Sequence, residues 1–407
     1  MTSTSRFIPV FSPIKNLEYT EQAMDRIRKL LLDPKEIGAG LWSQSLKLLE
    51  SQLIKIFKFD YCVLSNSCTS SIHSYLDIFL SSSSQPKKII CNSYTYPSVT
   101  NYLIQASQKK LVELFIYDFD GDTLALVNFF KNTLHINFQN QLQLDNCLFL
   151  LTDYVNPESN KELIRSLSVQ SIQCPVLIDA ALMFNVNRYY DIDYSSLTLA
   201  LSFSLGKMIN VGEGGALLTK NRLLAEQMLE QTYYGVINGR STDFLKNYSE
   251  GKIEMRMLSN SSAGKKGMTA FQSELIQLQI ENFEFMIQKK KYLIDLYNDE
   301  FGKELIKNDP IVSYRYYFAE PMTIEWINRI QGNLFNLGVG SYLGIKKIQD
   351  QAFQSNNVQI KFENHFKANN TKTSDNNMYG FIQLPCHFDL DEKNILLITK
   401  KVKKALS

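Results

Sequence analysis

Short apolar segments alternate with helical segments through the first half of the chain, and this alternation limits the folds available to it. Helices are predicted at about 69–80 and 97–106, and strands at 61–64, 88–91, 111–117, 148–152, 176–178, 199–204 and 216–219. Short, mostly apolar strands alternating with helices are typical of a mostly parallel sheet that is covered on both faces. The pattern therefore predicts an α/β fold.

The pattern changes after Gly215. One long helical stretch is predicted from Met268 towards Tyr297, and a last helix near 392–405. We predict an N-terminal segment plus large domain at 1–285 and a small C-terminal α/β domain at 286–407. The polar segments 233–266 and 355–377 are interpreted as loops, which at this length are usually functional or disordered.

Charge and composition exclude several classes of protein. The 43 basic residues nearly balance the 41 acidic ones, without a basic stripe for nucleic acid or a membrane surface. No signal peptide is recognisable, and no apolar run approaches the roughly 18 residues that a membrane helix needs. Six scattered cysteines indicate reduced thiols in a cytoplasmic protein, and the four histidines lack metal-ligand spacing. We therefore expect no metal, no nucleic acid and no membrane partner.

Two segments near the first strands have side chains suited to binding a ligand. Ser67-Cys-Thr-Ser-Ser71 lies at a strand-to-helix turn, where backbone N–H groups and the Ser67 and Thr69 hydroxyls suit an anion. A simple helix N-cap is the alternative. Tyr96 follows the second strand, and its ring could stack on a flat cofactor. The alternative is a tyrosine packed beside Pro97.

Two further segments place charged side chains after strands. Asp179 follows the apolar strand Val176–Ile178, and a buried carboxylate requires a cation or strong donors. A protonated pyridine nitrogen would serve, and a helix N-cap aspartate is the alternative. Lys207 follows Ser202-Phe-Ser-Leu-Gly, and a lysine shielded from water can form a Schiff base. Its alternative is an exposed loop lysine.

The four segments together supply a phosphate cradle, a stacking ring, a partner for a pyridine nitrogen and a Schiff-base amine. Each follows a predicted strand, and the carboxyl ends of parallel strands are where open α/β sheets bind ligands. Pyridoxal 5'-phosphate (PLP) needs these four groups, so the sequence predicts a PLP site.

The same segments resemble the DegT/DnrJ/StrS-type sugar aminotransferases, which have the fold type I aminotransferase architecture. The resemblance runs from about residue 41 to the C-terminus and is patchy after Gly215. It rests on Ser67-Cys-Thr-Ser-Ser-Ile72, Thr95-Tyr96, Ile178-Asp-Ala-Ala181, Ser202-Phe-Ser-Leu-Gly-Lys207 with Gly212-Glu-Gly-Gly215, Met268-Thr-Ala-Phe-Gln272 and Leu384-Pro-Cys-His387. The segment around Lys207 and the glycines is similar to the family's most specific signature.

The resemblance implies a PLP-dependent transaminase in which Lys207 holds the cofactor and shuttles the proton. Asp179 would pair with the pyridine nitrogen and Tyr96 would stack on the ring, while Cys68, Thr69 and Ser202 would bind the phosphate. The family is typically a homodimer that takes nitrogen from L-glutamate and gives it to a keto-sugar nucleotide. Its members serve routes such as surface polysaccharide and secondary-metabolite biosynthesis.

Two departures from the family pattern concern the ring and the partner subunit. Leu182 replaces a glutamine that reaches the ring hydroxyl, and Lys265 falls where the family lends an asparagine to the neighbouring subunit's phosphate. They leave open a different PLP reaction on the same scaffold or a non-sugar acceptor. A degenerate, non-catalytic family member is a further alternative. Lys207 argues against the dehydratase branch, which has histidine at this position.

Overall fold

The computed structural model describes most of the elements predicted from the sequence. The described residues are 17–33, 43–82, 85–92, 95–116, 144–153, 157–184, 189, 191–233, 263–302, 315–319, 324–341, 360–362, 381–387 and 389–406. Residues 234–262, and 355–377 apart from 360–362, lie outside these ranges, so most of the two predicted loops is not described.

An eight-stranded sheet forms the centre of the described structure, in the order β1-β7-β6-β5-β4-β2-β3-β9. Its strands are β1 (Tyr61–Ser65), β2 (Lys87–Cys91), β3 (Val112–Ile116), β4 (Cys147–Thr152), β5 (Val176–Asp179), β6 (Leu197–Ser202), β7 (Gly215–Thr219) and β9 (Ile360–Phe362). A separate antiparallel pair is formed by β8 (Arg315–Ala319) and β10 (Phe381–Pro385).

The predicted mostly parallel sheet is confirmed, with one strand of opposite direction. Strands β2, β3, β4, β5, β6 and β9 pair in parallel, whereas β7 runs antiparallel to both of its neighbours, β1 and β6. The connection from β6 to β7, residues 203–214, contains no helix and returns the chain directly beside β6. A return of this kind makes the two strands antiparallel.

Ten helices of the described part surround the strands. They are α1 (Leu17–Leu32), α2 (Gln44–Phe57), α3 (Cys68–Ser81), α4 (Pro97–Gln108), α5 (Pro157–Val169), α6 (Arg222–Thr232), α7 (Ala270–Glu281), α8 (Phe283–Phe301), α9 (Ile324–Asn336) and α10 (Glu392–Leu406). Side chains from α2, α5 and α7 share one hydrophobic core with the sheet, and those from α3, α4 and α6 share a second.

The two cores lie on opposite faces of the sheet because strand side chains alternate in direction. Leu64 of β1 and Leu151 of β4 belong to the first core, whereas Val63 and Leu150 belong to the second. All four are at most 1% exposed. Burial of the strands from both faces explains their continuous apolar sequences.

One helical stretch predicted from the sequence is divided into two helices in the structure. The stretch from Met268 towards Tyr297 was expected to be one helix, but α7 ends at Glu281 and α8 begins at Phe283. Asn282 separates them, and its side-chain amide donates to the Leu278 carbonyl oxygen at 2.8 Å. Asparagine competes for backbone hydrogen bonds in this way and so favours helix ends.

A third hydrophobic core lies in the C-terminal part of the chain. It contains Leu293 and Tyr297 of α8, Leu334 of α9, Leu384 of β10 and Ile398 of α10. This core is compatible with a separate small domain. Strand β9, however, comes from the predicted range 286–407 and pairs with β3 of the large sheet. The division at residue 285 stays a prediction.

The six cysteines and the helices bear on the environment of the chain. All six cysteines are buried and form no disulfide. None of the helices in the described ranges combines the length and apolar character required to cross a bilayer.

Candidate active site

The predicted ligand-binding residues meet at one edge of the main sheet. Ser65, at the end of β1, is paired with Gly215 at the start of β7, and Gly215 is paired with Ser202 at the end of β6. Asp179 ends β5, the next strand, in register with Ala200. The carboxyl ends of β1, β5 and β6 therefore bring segments that are distant in sequence to a common site.

The serine-rich turn leads directly into helix α3. The Ser67 hydroxyl caps the helix by accepting the Ser70 N–H at 3.1 Å, so the N-cap interpretation is correct. Ser65 also stabilises the turn: its hydroxyl donates to the Ser67 carbonyl at 2.8 Å and lies 2.6 Å from the Ser71 hydroxyl. A capped helix N-terminus still presents N–H groups and a positive dipole end. The cap and an anion site are thus compatible.

Gly215 allows β7 to approach this turn closely. A Cβ atom at position 215 would lie 2.4 Å from the Cys68 nitrogen and from the Ser67 carbonyl carbon. Any side chain would therefore collide with the backbone of the turn. Ser202 is the strand partner of Gly215 on β6, and its hydroxyl lies 3.0 Å from the hydroxyl of Ser204. The glycine of the sequence motif thus has a steric role at the predicted phosphate site.

Tyr96 immediately precedes helix α4 and is 51% exposed, so its ring is accessible for stacking. The hydroxyls of Thr69 and Ser98 lie 3.3 Å apart and link the serine-rich turn to the start of α4. Thr95 is only 1% exposed, and its hydroxyl has no hydrogen-bond partner among the described residues. The stacking role of Tyr96 stays a prediction.

Asp179 is a buried carboxylate with little compensation. It is 5% exposed and accepts the Ala181 N–H at 3.0 Å, the single hydrogen bond to its side chain within the described ranges. Residues 181–182 form a turn, so the helix N-cap alternative is wrong. Burial raises the pKa of the carboxyl, while the Ala181 N–H and the charge of Lys207 act in the opposite direction. The carboxylate is therefore suited to a cationic partner.

Lys207 lies half-buried in the loop between β6 and β7, and it is not the exposed lysine of the alternative interpretation. The charge of Lys207 acts to lower the pKa of Asp179. It acts in the same direction on the pKa of the Cys68 thiol, which burial raises well above its usual value. The three groups therefore lie within electrostatic range of one another. Gly206 and Gly212 take φ angles of 85° and 90°, which favour glycine and let this loop fold back.

The loop that carries Lys207 is held by two glutamines of helix α7. Gln279 clamps Asn210: it accepts the Asn210 N–H at 2.8 Å and donates to the Asn210 carbonyl at 2.7 Å. Gln272 donates to the Glu213 carbonyl at 2.8 Å. The resemblance of residues 268–272 to a family helix pointed to this region. No sequence signal pointed to Gln279, because its partner is 69 residues away.

The two departures from the family pattern differ in their surroundings. Leu182 is half-buried in the turn after Asp179, and its side chain offers no hydrogen bond. Lys265 is exposed, and its backbone forms a bridge with Tyr233. Its neighbour Lys266 is the half-buried lysine, with its ammonium 3.0 Å from the Ser74 hydroxyl on α3. A phosphate contact by Lys265 stays untested.

The residues present fit PLP. The buried Asp179 carboxylate lacks a cation in direct contact within the described part of the chain and suits a pyridinium. The turn at Ser67, which Gly215 can approach only because it has no Cβ, suits a phosphate. Lys207 supplies an amine in the same electrostatic environment. The residue roles themselves stay predictions.

A sequence comparison identifies the relatives of the C-terminal half. The model of the DegT/DnrJ/EryC1/StrS aminotransferase family matches residues 192–403, more than half of the 407-residue chain. The matched range contains Ser202, Lys207 and the glycines 212–215, and it excludes Cys68, Tyr96 and Asp179.

Solved structures share the fold over nearly the whole chain. PseC of Helicobacter pylori, an aminotransferase involved in the biosynthesis of pseudoaminic acid, is 18% identical, with a TM-score of 0.70 over 98% of this chain and 99% of its own. The PLP form of a putative sugar aminotransferase of Streptococcus pneumoniae is 16% identical, with a TM-score of 0.67 over 98% and 100%. A 3-amino-5-hydroxybenzoic acid synthase is 14% identical, with a TM-score of 0.68 over 98% and 99%. The predicted fold type I architecture is confirmed.

Proposed function

The chain belongs to the DegT/DnrJ/EryC1/StrS aminotransferase family, whose members are PLP-dependent, and we propose that it transfers an amino group from L-glutamate to a keto-sugar nucleotide. The main support is the position of Asp179, a buried carboxylate at the strand edge that shares its electrostatic environment with Lys207 and Cys68. A carboxylate with a purely structural role is more commonly exposed to solvent or paired with a basic side chain.

Each residue of the site has a distinct task in this proposal. Bound PLP supplies an electrophilic carbonyl carbon and an electron sink. The Lys207 amine would hold it covalently and, once displaced by the amino donor, would move the proton from the donor's α-carbon. Asp179 would keep the ring nitrogen protonated, since a buried carboxylate is stabilised by an adjacent cation.

The remaining residues bind and orient. The N–H groups of Cys68 and Thr69 at the start of α3, together with the Ser202 hydroxyl, would hold the phosphate. Tyr96 would cover one face of the ring. Gln279 and Gln272 hydrogen-bond to the backbone of the loop that carries Lys207, and we expect these bonds to orient its amine.

The first test is an absorption spectrum of the purified protein with PLP, before and after L-glutamate. We expect a visible band that glutamate bleaches in the wild type, and neither bleaching by glutamate nor transamination in Lys207→Ala. Lys220→Ala is a matched control, because Lys220 follows β7 at the opposite edge of the sheet and contacts Asp193 at 3.4 Å. Near-normal transamination by Lys207→Ala would refute the role assigned to Lys207. A protein that never takes up PLP would instead be the degenerate family member.

A non-sugar acceptor is the second candidate. Leu182 and Lys265 depart from the family pattern at positions that approach the cofactor ring and the neighbouring subunit's phosphate. The fold is also shared with a synthase named for an aromatic amino acid. Incubation with ¹⁵N-glutamate and a panel of keto-sugar nucleotides and non-sugar ketones separates the two by mass spectrometry. Label appearing only in non-sugar products would replace the first proposal with the second.

The assembly and the compartment belong to the same proposal. We expect a homodimer, as is typical of the family, which light scattering of the PLP-bound protein would test. Six buried cysteines that form no disulfide are compatible with a reducing compartment, and we place the enzyme in the cytoplasm, with polysaccharide or secondary-metabolite biosynthesis as its setting.

A further inference from the structure

Residues 263–268 link the end of helix α6 to the serine-rich turn at Ser67 through backbone hydrogen bonds. The Lys266 N–H donates to the Thr232 carbonyl, the last residue of α6, at 2.9 Å. Its carbonyl oxygen accepts the N–H of Asn66 at 2.6 Å, and Asn66 directly precedes Ser67. Lys266 therefore links the end of α6 to the residue that precedes the turn.

The side chain of Lys266 forms a third link, to helix α3 itself. Its ammonium donates to the hydroxyl of Ser74, a residue that is 1% exposed, at 3.0 Å. Burial lowers the pKa of the ammonium, and the charge of Asp77 raises it. Asp77 lies one helical turn beyond Ser74 and accepts the Tyr102 hydroxyl at 2.5 Å. The charged group is thus held by specific partners on α3.

Asn66 has few other means of being held in place. Its side-chain oxygen is buried and has no hydrogen-bond partner among the described residues. The N–H bond to Lys266 is therefore an important restraint on the entry into the turn. On the other side, Ser65 bonds to Ser67 and Ser71. Hydrogen bonds of Ser65 and of Asn66 therefore both restrain the turn.

We propose that Lys266 is a positioning residue that clamps Asn66 to helix α3 and so sets the direction of the N–H groups that receive the cofactor phosphate. This inference rests on the proposed PLP site. Lys266 acts through Asn66 and α3, without contact with the cofactor. The clamp predicts that loss of the side chain impairs recognition of the phosphate and leaves recognition of the ring intact.

The test compares two ligands that differ only in the phosphate. Dissociation constants for PLP and for pyridoxal are measured by absorption titration of the cofactor-free protein. For Lys266→Met, which keeps the backbone bonds, we expect PLP affinity to fall about tenfold, equivalent to about 1.4 kcal/mol. Pyridoxal affinity should change less than about twofold. Ser74→Ala should lose part of the PLP affinity in the same selective way, and the double variant should lose less than the sum.

Lys265→Met tests whether the effect belongs to Lys266 and not to its neighbour, since Lys265 is adjacent in sequence but exposed. An equal loss for PLP and pyridoxal in Lys266→Met would mean a general structural role, and a selective loss in Lys265→Met instead would assign the phosphate to that residue. Either result overturns the inference. If Lys266→Met fails to fold, Ser74→Ala decides, because it removes the same hydrogen bond. A wild type that binds neither ligand would refute the proposed function itself.

Discussion

Asn in place of Asp179 should stabilise the cofactor-free protein and weaken the cofactor complex, two effects of opposite sign. Burial raises the pKa of the carboxyl in the folded state. A raised folded pKa means that the stability contributed by this group is fully present below the unfolded pKa, about 3.9. It is lost as the pH rises through the folded pKa. At neutral pH the ionised group therefore lowers the free energy of unfolding.

The magnitude follows from the partners of the carboxylate. Asparagine has nearly the same shape and can still accept the Ala181 N–H, with a loss of about 1 kcal/mol because the acceptor is no longer charged. Removal of an uncompensated buried charge returns several kcal/mol, reduced here by the attraction of Lys207. We expect a net gain of about 1–2 kcal/mol, which for a chain of this length raises Tm by about 1–2 °C.

The effect on the complex has the other sign because a neutral amide cannot compensate a pyridinium. At a PLP concentration of about 100 Kd the wild type gains about 2.7 kcal/mol. A tenfold loss of affinity in Asp179→Asn would cut that gain to about half. The cofactor-induced rise in Tm should shrink accordingly.

Thermal unfolding with and without PLP, between pH 5 and 8, measures both effects. Asp153→Asn is the matched control: Asp153 is 2% exposed, its N–H donates to the Asp179 carbonyl, and its carboxylate accepts the Tyr189 hydroxyl. Because that carboxylate has a strong donor, we expect Asp153→Asn to lower Tm. A lower Tm for cofactor-free Asp179→Asn at neutral pH would refute the reasoning, and an unchanged PLP effect would remove Asp179 from the site.

Three further outcomes can be checked. Gly215→Ala would place a methyl group 2.4 Å from the Cys68 nitrogen, so PLP affinity should fall at least about tenfold in a titration, whereas Gly332→Ala, with nothing within 4 Å of the new atom, should leave it unchanged. Gln279→Leu removes both hydrogen bonds to the Asn210 backbone and should cost about 2–4 kcal/mol in urea unfolding; a cost below about 1 kcal/mol would contradict the clamp. The Cys68 thiol, whose pKa burial raises well above its usual value, should resist iodoacetamide at pH 8 until the protein unfolds, and rapid labelling of the native state would contradict its burial.

The α/β class and the order of the site segments could be predicted from sequence because both depend on local chemistry. Continuous apolar runs such as Cys147–Leu151 indicate strands buried on both faces, and a serine before a helix indicates a cap and an anion site. Cys68, Asp179 and Lys207 were therefore recognisable as neighbours of strand ends. Local reasoning failed at Asn282, where the apolar pattern continued although the helix ended.

Other properties were decided only by the tertiary structure, because they depend on partners far away in the chain. Nothing in sequence distinguishes Lys265 from Lys266, yet one is exposed and the other contacts Ser74, 192 residues away. The close contact of Gly215 with Cys68 arises from the pairing of β1 with β7. The weak compensation of the buried Asp179 likewise reflects what the assembled sheet places around it. Sequence determines which side chains are available, and packing determines which charges lose water and which partners they meet.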